Sequence, residues 1–197
     1  MLDIQIFNVR TPVYDNKTQV GSIPHISLGT YTALTQEERT TLEKGTTNLT
    51  DNSLCTFHNA VHNIGEKFCA IHLLHELEKA DHPILKEQIK NQLQKICPKQ
   101  PHNLPQLQKE QKLLQSYIAK TFTPEEQVMM MIRLKNNHDQ KKKANEITPE
   151  EDEIFARGIA ECVQAIKDMP KERKSPLIRN LCINSTHRHY TKNHSRT

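Results

Sequence analysis

The 197-residue chain has no tryptophan, only 5 glycines, 5% aromatic residues and no long apolar run. Each scarcity excludes something. The glycines, at 21, 29, 45, 65 and 158, form neither a GxGxxG fingerprint nor a P-loop, which removes the phosphate-cradling turns of nucleotide-binding α/β folds. The longest apolar stretch, residues 128–132, is far short of the roughly 18 residues that span a bilayer. Met1-Leu2-Asp3-Ile4-Gln5 lacks the basic start and apolar stretch of a secretory signal, so the product is expected in the cytoplasm of the producing cell. Five cysteines, at 55, 69, 97, 162 and 182, make no CxxC pair and leave one over under full pairing, which predicts free thiols in a reducing compartment.

The hydrophobic fraction is 35%, against about 45–50% apolar for an average soluble domain. That supports one modest core, and the length suits one domain with a small appendage. Net charge is +4. Residues 169–197 carry seven basic residues against Glu172, a local charge of +6, so the preceding body carries −2. The body therefore gives no electrostatic case for a nucleic-acid partner.

Leu2, Ile4, Ile6 and Val9 nearly alternate with polar residues, and Asp15-Asn16 and Gly21 supply turn signals, so residues 1–34 read as an extended or hairpin element. Helical signals follow. Thr35-Gln36-Glu37-Glu38 is a capping-box pattern ahead of a short helix ended by Gly45. Asp51 or Asn52 can cap a long helix to about residue 80, and Asp81-His82-Pro83 opens another, with Leu85, Ile89, Leu93 and Ile96 on one face. A further helix carries Leu107, Leu114, Tyr117 and Ile118. Thr123-Pro124-Glu125-Glu126 and Thr148-Pro149-Glu150-Glu151 are near-identical helix starts: Thr as N-cap, Pro at the first position, acids in the first turn. The first leads into Val128-Met129-Met130-Met131-Ile132, apolar all round, which suits a core helix or an adaptable partner groove. A short helix is expected at 176–182. The pattern predicts a mainly α fold: a compact bundle of six or seven helices over 35–183, a small N-terminal β element over 1–34, and a polar, basic, disordered tail over 184–197.

The helix over 52–80 is the unusual passage. Leu54, Phe57, Val61, Ile64, Phe68 and Ile71 step by three and four and define a packing seam. One residue along runs a second stripe, Cys55, His58, His62, Gly65, Cys69, His72 and Glu76, of which six side chains are potential ligands, nucleophiles or acid/bases. This is either the polar flank of a half-buried helix or a site. As a site it admits two chemistries. His58 and His62, at i and i+4, stand where two imidazoles reach one divalent ion such as zinc, with Glu66 extending the row and His25, His82, His138, Asp139 or His187 as further ligands. Alternatively, Cys55, within the first turn of the helix capped near Asp51 and with His58 one turn on, is a thiolate nucleophile.

Phe57-His58-Asn59-Ala60-Val61-His62 resembles the opening histidine motif of cyclic-nucleotide phosphodiesterases, and His138-Asp139 resembles the dyad of the HD phosphohydrolase superfamily, which implies metal-dependent phosphohydrolysis. Gly65 stands where the phosphodiesterase motif has Asp. Ser53-Leu54-Cys55-Thr56-Phe57-His58 resembles the segment around the nucleophile of Josephin-type ubiquitin proteases, which implies Cys55 as nucleophile. Over the whole chain, abundant Asn, Gln, Thr, Lys and His with scarce Gly is similar to type IV (Dot/Icm-type) secreted effectors of intracellular bacteria. That similarity implies production in the bacterial cytoplasm and delivery into a host cell as a virulence factor. The leading expectation is a helical protein–protein interaction module acting on a host protein, without a cofactor. The alternative is a hydrolase centred on Cys55, His58 and His62.

Overall fold

A computed structural model describes residues 3–31, 34–99, 102–181 and 184–191. Strand β1 (Asp3–Asp15) turns through Asn16 and Lys17 into β2 (Thr18–Tyr31), with Asp15 opposite Thr18. Asn16 takes φ 53°, the left-handed conformation that Asn tolerates and a tight hairpin turn requires. Alternation places Ile4 and Ile6 of β1 inward, where Ile26 of β2 is buried with them, while Ile23 of β2 is buried in a second cluster with Leu85 and Ile89 of the helix that follows residue 82. Helices α1 (Gln36–Gly45), α2 (Asp51–Lys79), α3 (Pro83–Ile96), α4 (Leu104–Thr121), α5 (Pro124–Lys143), α6 (Pro149–Asp168) and α7 (Pro176–Leu181) follow, with a 3-10 turn at Lys171–Arg173. The fold is mainly α with a small β element.

The chain departs from expectation after α7. Asn184–Thr191 forms β3, pairing in parallel with β1 so that the strand order is β2-β1-β3. The polar composition that predicts a disordered tail describes side chains, whereas β3 is held through the main-chain groups of β1's open edge. The rest of the expected tail, 192–197, lies outside the described residues.

Local chemistry explains the helix starts. Thr35, Thr123 and Thr148 each form reciprocal capping boxes, with Glu38, Glu126 and Glu151 respectively. The long helix is capped by Thr50, one residue before the expected cap, its side chain accepting from the Ser53 N–H at 3.1 Å. His82 caps α3, its Nδ1 accepting from the Ile84 N–H.

α2 is the central post. It packs on α3, α4 and α6, and α6 also lies against β2. Val128, Met129, Met130 and Met131 of α5 are all buried, so the methionine run belongs to the core rather than to a surface groove. Full burial of such a side chain contributes roughly 1.5–3 kcal/mol, which makes this turn of α5 a principal anchor. Phe57 of α2 meets Phe122 edge-on, with ring centroids 5.6 Å apart, and closes the core under α4. Among the described residues no helix is long and apolar enough to cross a membrane.

Candidate functional site

The second stripe of α2 runs along the α2–α6 contact, and a pair of glycines divides it. Gly65 lies against the backbone of Ile154 and Gly158, and Gly158 against the backbone of Val61, so the two helices touch main chain to main chain. Beyond this crossing, Cys69 is buried, its Sγ 4.0 Å from the Glu153 carbonyl oxygen. Further along, Glu76 pairs with Arg10 of β1 at 3.0 Å. In that half Cys69 and Glu76 pack against α6 and the sheet, while His72 between them is exposed. The other half is different: before the crossing, His58 and His62 are exposed and line a cleft of about 260 Å3 between α2, α5 and α6.

The far wall of the cleft is built by the α5–α6 connection. α5 ends in a Schellman arrangement: the Glu146 N–H donates to the Lys141 carbonyl and the Asn145 N–H to the Lys142 carbonyl, with Asn145 at φ 57°. This sharp return brings Glu146 and Ile147 to the cleft and starts α6 at Pro149. Leu134, Asn137, His138 and Lys141 of α5 and Glu151 and Phe155 of α6 complete the lining. His138 is buried, stacked on Phe155 with centroids 4.0 Å apart, and its Nε2 lies 2.7 Å from an Asp152 carboxylate oxygen. The other oxygen of Asp152 accepts from Lys142 at 2.6 Å.

Electrostatics follow from this geometry. Desolvation, reinforced by the neighbouring His62, Lys141 and His138, holds the His58 imidazole below its ordinary pKa, so its neutral form is favoured. Burial acts to raise Asp152, but hydrogen bonds from His138 and Lys142 outweigh it and hold the carboxyl below the usual range.

His58 and His62 are therefore brought together, and His138, named from sequence as a further ligand, joins them. Glu66 is not at the cleft: it lies 3.4 Å from the Cys97 Sγ and 3.9 Å from Lys67. Each i to i+4 step turns the helix by about 40°, so two steps rotate Glu66 away from the face that His58 occupies. The other candidate ligands are dispersed, His25 on Glu153 at 3.3 Å, His82 on Asp15 at 3.5 Å and Asp139 on Lys135 at 2.8 Å. The side chain of His187 lies outside the described residues. Among the described residues no group of three or more His, Cys, Asp or Glu is placed to hold a metal ion. His58, His62 and Glu66 do not fit a divalent ion as a set, and the His138-Asp139 dyad is split because the carboxylate facing His138 is Asp152.

Cys55 is exposed and outside the cleft lining, with its Sγ 4.0 Å from the Asn59 amide rather than on an imidazole. Since α2 begins at Asp51, Cys55 is its fifth residue, past the four unpaired N–H groups that stabilise a thiolate. Sequence reasoning missed Lys141, Glu146, Glu151, Asp152 and Phe155. The one available signal was the Thr148-Pro149-Glu150-Glu151 start, which puts acids in the first turn of α6 but does not show that this turn faces His138. Comparison of the chain with protein-family models, curated proteins and solved structures found no match.

Proposed function

We propose that the protein is a helical binding module that acts by engaging a protein partner, with the α2–α5–α6 cleft as the point of contact. The observation that carries this is the composition of the cleft: imidazole, ammonium and carboxylate groups around the apolar floor of Phe155 and Leu134, an arrangement suited to holding one polar side chain. The hydrolase alternative is less well supported, because Cys55 has no imidazole on its thiol and Glu66 faces away from His58 and His62. The compositional similarity to type IV secreted effectors favours a host protein as the partner, met after delivery from the producing bacterium's cytoplasm.

The test is photo-crosslinking from a reactive amino acid placed at exposed Asn137 on the cleft wall, in extract of a host cell, followed by reconstitution with the purified partner. One partner whose affinity falls about tenfold or more in a His62→Ala, Lys141→Ala variant is the expected result. No crosslinked partner, or one bound equally well by the variant, would refute the proposal.

A further inference from the structure

Two helices bring imidazoles and an ammonium to the cleft: His58 and His62 from α2, Lys141 and His138 from α5. The facing charges from every neighbouring element divide into two sets. His138, Lys142 and Asp152 satisfy one another at 2.6–2.7 Å. Glu151 of α6 has its carboxylate engaged by the Thr148 N–H at 2.9 Å in the capping box, and Glu146 of the connection is exposed. His58, His62 and Lys141 remain as the groups able to turn hydrogen-bond donors toward a ligand. Besides desolvation, the neighbours that oppose a charge on His58 are His62, Lys141 and His138, and a negative group placed among them acts in the opposite sense.

We infer that the cleft is an anion-binding site for a phosphate-type oxyanion group, with His58, His62 and Lys141 as its donors. The inference rests on the binding reading above and names the chemistry of the group received. Donors from two helices suit a tetrahedral oxyanion, whose oxygens accept from several directions at once. The cleft, at about 260 Å3, is much larger than the roughly 30 Å3 a water takes up, so it has room for an oxyanion together with part of its carrier.

The first experiment is an NMR titration of the whole chain, following the histidine ring resonances, with inorganic phosphate and with sulfate, ionic strength being held constant with chloride. Saturable movement of the His58 and His62 signals is expected, with affinity reduced about tenfold in Lys141→Gln and in His62→Gln. Sulfate keeps its charge over this range, so its binding tightens as pH falls through the lowered pKa of His58. A peptide carrying phosphoserine supplies the third arm. Tighter binding than free phosphate assigns the group to a partner's side chain, and equal binding assigns it to a free ion. Unmoved His58 and His62 signals with all three probes, or unchanged affinity in Lys141→Gln, would overturn the inference. If that happens while the crosslinked partner still requires His62 and Lys141, the anion inference fails alone and the binding module stands.

Discussion

The main-chain contact at the α2–α6 crossing makes opposing demands on a Gly65→Ala substitution, and the structure says which prevails. On propensity alone, Ala in place of Gly inside a helix stabilises by about 1 kcal/mol. The added Cβ, however, would stand 2.9 Å from the Ile154 carbonyl carbon and 3.0 Å from the Gly158 nitrogen, and closer still to the Ile154 carbonyl oxygen. These are backbone atoms of a helix packed on both the sheet and α2, so relief requires moving α6 as a body. Overpacking costs typically 1–3 kcal/mol and more where neighbours cannot yield, so a net loss of about 2 kcal/mol is expected. For a chain of this size that lowers Tm by roughly 4–8 °C. Gly158→Ala meets Val61 in the same way, its Cβ 2.8 Å from Val61 Cγ1 and 3.1 Å from the Val61 carbonyl carbon. Gly45→Ala is the control, since nothing lies within 4 Å of its added Cβ. Urea unfolding of the three variants checks the ordering. A Gly65→Ala protein as stable as wild type, or more stable in step with Gly45→Ala, would refute the close crossing and with it the placement of His58 and His62 against α6.

Three other outcomes follow from the same geometry. Alkylation of the folded protein, located by peptide mass spectrometry, should modify Cys55 first and leave Cys69 and Cys162 untouched until unfolding; Cys55 is exposed, while burial pushes the Cys162 thiol up to about 12 and raises Cys69 as well. Asp152→Asn should cost about 1–3 kcal/mol by removing the carboxylate shared by His138 and Lys142. Because the folded pKa of Asp152 is depressed, its contribution is complete above the unfolded value of 3.8 and is lost as pH falls through the lower folded value, so the variant's unfolding free energy should depend less on pH below 3.8. Thr148→Ala should cost about 1 kcal/mol in urea unfolding, because the Glu151 N–H loses the Thr148 hydroxyl while the Thr148 main-chain N–H still holds the Glu151 carboxylate, and Thr123→Ala should cost a similar amount at the start of α5.

What the sequence showed, and what it did not, divides along the range of the interactions involved. The capping boxes at Thr35, Thr123 and Thr148 are contacts between residues three apart, so the residues that make them can be read directly from the chain. The second stripe of α2 was legible as a face, because spacing fixes which side chains share a side of a helix. Spacing does not say what that side meets. Gly65 carries no Cβ, which is of use where another backbone comes close, and α6 crosses α2 at that position. β3 escaped because a strand held by its main chain leaves little mark on side-chain pattern. Asp152 escaped for a different reason. It is fourteen residues from His138, and the two meet only because Asn145 accepts a left-handed conformation and turns α6 back along α5. The cleft's chemistry therefore depends on that turn: Asn145 contributes no side chain to the lining, yet it sets the distance between His138 and the carboxylate that holds it. A residue that accepts positive φ at this position is as much a requirement of the site as the histidines are, since a β-branched residue there would strain the turn, separate Asp152 from His138 and carry Glu146, Ile147, Glu151 and Phe155 away from the α5 wall.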